Sequence, residues 1–209
     1  MNNEYLERVC YDYKEYLPVT EAKKRRFYLT GEIYARGDDS EPSKDYYGSV
    51  DFIIKEIIRI NCEDMNEEER VPILIFIDSC GGDVATVFSL IDIIKASTTP
   101  VYTINLGKWE STGFYIGIAG DKRYSLKSAR FLLHEGTLGL ENSVGKVEDT
   151  VDFFRRYDRE VVRKHVLECG KISEEKLEKI NRMENYFLAE QALEYGFVDE
   201  IIESLDDIL

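Results

Sequence analysis

Apolar residues along this chain follow two alternating rhythms. Val50, Ile53, Ile54, Ile57 and Ile58 recur at the three-and-four spacing of one helix face, which predicts an amphipathic helix over residues 46–60. An acidic loop follows. Residues 72–77 (Pro-Ile-Leu-Ile-Phe-Ile) then form an unbroken apolar run, the pattern of a strand buried on both faces. That run ends in Asp78-Ser79-Cys80-Gly81-Gly82-Asp83, and Val84, Val87, Phe88, Leu90, Ile91 and Ile94 return to helical spacing. Residues 100–106 read as the next buried strand, expected to break at Gly107. Beyond it, Ser111 opens a stretch of small and apolar residues suited to a closely packed helix. Strand, glycine turn, helix and strand make a βαβ unit, so the class is α/β with a parallel sheet.

The flanks extend this pattern. Residues 26–34 are rich in β-formers and predict a strand with a bulge at Gly31. Residues 123–126 and 129–134 are short β-type runs, followed by a glycine-containing loop over 135–145. Residues 146–169 predict one long charged helix ended by Gly170, and Ser173-Glu174-Glu175-Lys176 opens another. Residues 189–195 give a last helix, Gly196 its stop, and 197–202 a final strand. Residues 1–25 are acidic and tyrosine-rich, with Leu6, Val9, Tyr13 and Tyr16 at roughly helical spacing. They are set apart as an N-terminal arm from a domain over 26–209. The basic run Lys23-Lys24-Arg25-Arg26 reads as a solvated turn before the first strand.

Composition narrows the function classes. A formal charge of −14 argues against a phosphate-binding surface, so no nucleic-acid partner is expected. No apolar run reaches the roughly 18–20 residues that span a bilayer, and residues 1–7 lack the layout of a signal peptide, so no membrane partner is expected. Cys10, Cys62, Cys80 and Cys169 are widely spaced and only two histidines are present, which disfavours both a disulfide scaffold and a zinc site. A cytoplasmic setting is the expectation.

Three features carry candidate chemistry. The Gly81-Gly82 turn sits between a buried strand and a helix, where backbone without Cβ can present N–H groups to a bound oxygen. It fits no nucleotide-binding glycine pattern. Ser111 has a plain reading as a helix N-cap and a functional one as a nucleophile, and the latter requires a neutral imidazole nearby. Its surroundings do not match Gly-x-Ser-x-Gly. His134 ends an apolar strand at a loop, where a sheet delivers functional side chains. His165 lies between Lys164 and Val166 in a charged helix and is expected to be solvated or at an interface.

Together these pieces resemble the Clp protease proteolytic subunit (ClpP) family, with its ClpP/crotonase-type fold of repeated ββα units in a spiral core and a protruding handle helix. That family carries Asn-Ser-Pro-Gly-Gly after a buried strand, and Asp78-Ser79-Cys80-Gly81-Gly82 stands here. Its nucleophile lies in Ala-Ser-Met-Gly, and Glu110-Ser111-Thr112-Gly113 follows at the same distance. Its base ends an apolar strand just downstream, as His134 does. Its C-terminal signature is similar to residues 184–199. The resemblance covers roughly residues 27–203.

It implies a serine endopeptidase with Ser111 as nucleophile, His134 as base and Glu184 in place of the family's aspartate. It further implies an oxyanion hole from the backbone N–H groups of Gly82 and Thr112. The chemistry requires no cofactor and no metal. Two heptameric rings stacked into a tetradecamer, unfolded polypeptide substrates and an ATP-driven AAA+ unfoldase partner follow from the same resemblance, and residues 146–169 match the ring-to-ring handle. The chain departs from the pattern at Asp78, Cys80, Glu110, Glu184, Leu188 and the Glu135-Gly136 pair after His134. Charges at Asp78 or Glu110 that faced the site would oppose an oxyanion. Two alternatives therefore stand beside the peptidase: a ClpP-like ring subunit with weak or no catalysis, and an acyl-CoA enzyme of the related crotonase fold.

Overall fold

A computed structural model describes residues 20–34 and 49–208. The expected arm falls largely outside these residues, as do the first three positions of the helix expected over 46–60. The sheet runs in the order β1 (Arg26–Ile33), β2 (Ile73–Gly82), β3 (Val101–Glu110), β4 (Lys122–Leu126) and β7 (Glu200–Ile202), every neighbouring pair parallel. Two further strands branch from it: β5 (Arg130–Leu133) pairs parallel with β3, and β6 (Asn185–Leu188) pairs antiparallel with β5. The architecture is thus mixed α/β with a parallel sheet, as the alternating rhythms predict.

The crossover elements explain why the central strands read as continuous apolar runs. Helix α1 (Val50–Glu63) buries Val50, Ile53, Ile57 and Ile60, and α2 (Val84–Ala96) buries Val87, Leu90, Ile91 and Ile94. These side chains form one core with the alternate positions Ile73, Ile75 and Ile77 of β2. The intervening Leu74 and Phe76 join Ile104, Tyr124 and Ile202 in a second cluster. Burial of both faces stabilises by roughly 25 cal/mol per Å² of apolar surface removed from water. Each crossover helix is capped as its sequence specifies: Ser49 accepts from Phe52 N–H, and Asp83 accepts from Thr86 N–H.

Three local expectations are corrected or refined. The third strand does not break at Gly107: β3 continues to Glu110, and Gly107 marks the point where it changes neighbour. Positions 102–105 pair with β4, whereas 108–110 pair with β5. The Asn105 side chain supports the change, its Oδ1 accepting from Gly107 N–H (3.0 Å) and its Nδ2 donating to Arg130 O (3.2 Å). Second, the bulge does fall at Gly31, where the register shifts between Gly31 and Glu32, but its extra residue is on β2. Gly31 pairs with Ser79 and Glu32 with Gly81, leaving Cys80 as the extra residue. Third, the long helix is not uniform. α4 (Val144–Tyr157) and α5 (Arg163–Cys169) are joined through a π-helical turn at Asp158–Val162. α4 buries none of its residues, which suits the expected handle.

Arg25 is likewise more than a solvated turn. It adopts φ 60° and grips the buried Asp64 carboxylate through two nitrogens at 2.7 and 2.6 Å. The guanidinium holds the Asp64 carboxyl below its ordinary pKa.

Candidate active site

Ser111 stands between β3 and the short helix α3 (Thr112–Gly117), all of whose residues are buried. Its φ of 54° and ψ of −123° place a non-glycine residue in sparsely allowed backbone space, a sharp strand-to-helix turn that projects the side chain outward. The N-cap reading fails here, because the Ser111 side chain makes no capping hydrogen bond. Its Oγ instead lies 2.9 Å from His134 Nε2. The turn is pinned to the neighbouring strand by Ser111 N–H donating to Leu132 O at 3.0 Å.

Sheet register delivers the other two side chains. In the antiparallel β5–β6 pair, Arg130 faces Leu188 and Leu133 faces Asn185. One step further along the same register sets His134 opposite Glu184. His134 Nδ1 is 3.1 Å from Glu184 Oε1. The histidine side chain is 24% exposed and the glutamate side chain 64%, so the serine end of this chain of contacts is sheltered and the carboxylate end faces solvent. Just past the histidine, Glu135 N–H donates to Asn181 O (2.7 Å) at the end of helix α6 (Glu174–Asn181), which fixes where the strand leaves the sheet.

The double-glycine turn packs directly on this point. Gly81 has φ +89°, and a Cβ there would lie 2.7 Å from Ser111 Cβ and 2.8 Å from Thr112 N. Gly82 has φ +153°, and a Cβ on it would lie 1.9 Å from Ile33 O at the end of β1. Only glycine tolerates both the dihedrals and the proximity. The fully buried Ser79 anchors the turn: its hydroxyl donates to Gly31 O (2.6 Å) and accepts from Gly81 N–H (3.1 Å).

The departures from the family motif resolve into distinct environments. Glu110 is buried and paired with Arg130 of β5, Nε to Oε1 2.6 Å. Asp78 lies against Gly107, with Lys108 Nζ 3.9 Å away. Cys80 is exposed, Cys62 likewise, and Cys169 is partly buried; all three are free thiols. Cys10 lies outside the described residues. Leu188 is exposed and caps nothing with its side chain. His165 is not solvated. It is 3% exposed, hydrogen-bonded through Nε2 to Tyr115 O (2.8 Å) and packed edge-on against Phe88, so burial lowers its pKa to about 4.

Arg130 and Ser79 stand at the candidate site, and the sequence reading gave neither a role. Each had a signal: a polar or charged residue inside a run otherwise apolar enough to be buried.

A family model described as Clp protease matches residues 50–205. The chain belongs to the Clp protease family. Among curated relatives, ATP-dependent Clp protease proteolytic subunit 1 of Streptomyces avermitilis is 30% identical over 148 residues, covering 68% of this chain and 66% of that protein. Subunit 2 of Treponema pallidum is 30% identical over 139 residues, 66% of this chain and 69% of that one. Subunit 2 of Thermobifida fusca is 27% identical over 158 residues, 75% of each. The chain thus spans about two thirds to three quarters of the length of these Clp relatives. Among the described residues, no helix is long and apolar enough to cross a membrane, and no cluster of three or more His, Cys, Asp or Glu is placed to hold a metal ion.

Proposed function

We propose that this chain is a serine endopeptidase, the proteolytic subunit of a Clp-type protease. The observation that carries this reading is the 2.9 Å approach of His134 Nε2 to Ser111 Oγ, at a serine whose backbone is bent into a turn and whose side chain caps no helix. In the productive tautomer Ser111 O–H donates to Nε2 and Nδ1–H donates to Glu184. Ser111 Oγ attacks the peptide carbonyl carbon while its proton passes to Nε2. The Gly82 and Thr112 N–H groups receive the developing oxyanion, which supplies the main electrostatic stabilisation. Collapse breaks the C–N bond, and the imidazolium gives its proton to the departing amine. Water then attacks the resulting ester, His134 takes a proton from it, and that proton returns to Ser111 Oγ as the carboxylic acid leaves. Glu184 holds the ring in orientation and stabilises its cationic form.

Stacked heptameric rings, an AAA+ unfoldase partner and unfolded polypeptide substrates belong to this proposal, as does a cytoplasmic location. The unpartnered face of α4 supports assembly: Val144, Phe153 and Phe154 are exposed on a helix that buries nothing. A second reading, a ring subunit of weak catalysis, draws on the exposure of Glu184, since an orienting carboxylate in water loses much of its hold on the imidazole.

Intact-mass measurement after treatment with a fluorophosphonate decides between them. One adduct mapped to Ser111 and absent from His134→Ala supports the peptidase. A well-formed ring that takes no adduct from neutral to alkaline pH supports the weak subunit.

A further inference from the structure

We infer that Arg130 is a positioning residue for the peptidase reaction: it neutralises a carboxylate, Glu110, that the fold buries one residue before Ser111. The inference rests on the serine-peptidase reading above. It answers a difficulty that the geometry creates. A carboxylate beside the nucleophile repels the oxyanion that must form there, and burial strengthens that repulsion by lowering the local dielectric.

The pair is asymmetric. The Glu110 side chain is 10% exposed and that of Arg130 56%, so the guanidinium lies over the carboxylate from the solvent side. Nε donates to Oε1 at 2.6 Å, a short charge-assisted bond. Other charged or titratable groups surround the pair: Lys108 on β3, Asp78 on β2, Tyr186 on β6 and Glu184 before it. Lys108 leans toward Asp78. Among the described residues, Arg130 is the cation hydrogen-bonded to Glu110.

The pair also joins the two strands that carry the reacting side chains. Glu110 ends β3, next to Ser111, and Arg130 begins β5, which leads to His134. Parallel register sets Lys108 opposite Arg130 and Glu110 opposite Leu132, so the ion pair is a diagonal brace across that ladder. One interaction, placed between the two strands that carry the reacting side chains, therefore cancels the misplaced charge.

The test uses the assembled protein and its R130Q, E110Q and E110Q/R130Q variants. Turnover of a fluorogenic peptide gives kcat and KM, and a peptide boronate, whose serine adduct is a tetrahedral anion, reports on oxyanion stabilisation. R130Q is expected to lose about tenfold or more in kcat and a comparable factor in boronate affinity, with KM moved less than about threefold. E110Q/R130Q is expected to recover most of both losses, because the charge that required cancelling is gone. R130Q within about threefold of the parent in kcat, or a double variant as slow as R130Q, overturns the inference. If R130Q does not fold, R130M against E110Q/R130M reads the same contrast, and a double variant as slow as R130M also overturns it. Fluorophosphonate labelling of the parent at Ser111 separates the two levels. A labelled parent with an unaffected R130Q removes only the role of Arg130, and an unlabelled parent removes the peptidase reading with it.

Discussion

Gly81 and Ser111 touch so closely that a single methyl group between them has no space: a Cβ on Gly81 would stand 2.7 Å from Ser111 Cβ. The neighbouring atoms include the backbone carbonyl of Glu110 and the amide nitrogen of Thr112, which cannot swing aside as a side-chain tip would. Gly81→Ala must therefore displace the turn, in addition to straining a φ of +89°. We expect loss of roughly 1–3 kcal/mol in stability and of nearly all turnover. Urea unfolding beside peptide hydrolysis checks both. Full activity in a folded Gly81→Ala protein would show that the turn is not part of the site.

Ser111 holds its own strain. Its φ of 54° disfavours any residue with a Cβ, and Ser111→Gly relieves this while removing the hydroxyl. The expected outcome is a protein more stable by about 1 kcal/mol and without turnover. A denaturation midpoint lower than the parent's would contradict the strain assignment.

Glu184 is predicted to matter in proportion to its exposure. Glu184→Gln removes the charge that stabilises the imidazolium, but solvent already screens a side chain that is 64% exposed. A loss of about 10–100-fold in kcat is expected, below the roughly 10⁴-fold seen when a buried triad carboxylate is neutralised. Glu184→Asp, with the family's residue, should return most of it. An unchanged kcat in Glu184→Gln would assign the orienting role elsewhere.

His165 predicts a pH dependence of stability unrelated to catalysis. Its folded pKa of about 4 lies below the ordinary 6.5, so between these values the unfolded chain binds a proton that the native protein refuses. Stability is complete above about pH 6.5 and falls as pH drops toward 4, by at most about 3 kcal/mol. Urea midpoints over this window should slope less in His165→Phe, whose ring occupies similar volume without titrating. An equal slope would move the effect to other groups.

The βαβ core was legible because its signals are local. Ile53, Ile57 and Ile60 mark one face of α1, while Ile73, Ile75 and Ile77 mark one face of β2. The Ser111–His134 approach was legible through the resemblance to the ClpP family, though nothing local revealed the serine's dihedrals. β6 escaped because its four residues bury only Phe187 and leave Tyr186 and Leu188 outside, too little for a period of two to register. His165 was misread from its charged neighbours Arg163 and Lys164. The informative signal was the face it shares with Val162 and Val166, all three buried beneath the charged surface. The continuation through Gly107 depends on Asn105 reaching Arg130, a contact set by tertiary packing and absent from any local window.

The change of neighbour at Gly107 divides the molecule's labour along a single strand. The first half of β3 belongs to a sheet that is braced by helices and persists as long as the domain is folded. The second half, still paired with β2 at Ser79–Trp109, carries on its other edge an annex of β5 and β6, joined to β3 through three residue pairs. Ser111, His134 and Glu184 are all mounted at the same end of that annex. Amide exchange should therefore find two populations, a slow one in the main sheet and a faster one at residues 131–133 and 185–188. Opening of the annex is therefore expected to part His134 from Ser111 before the main sheet comes apart.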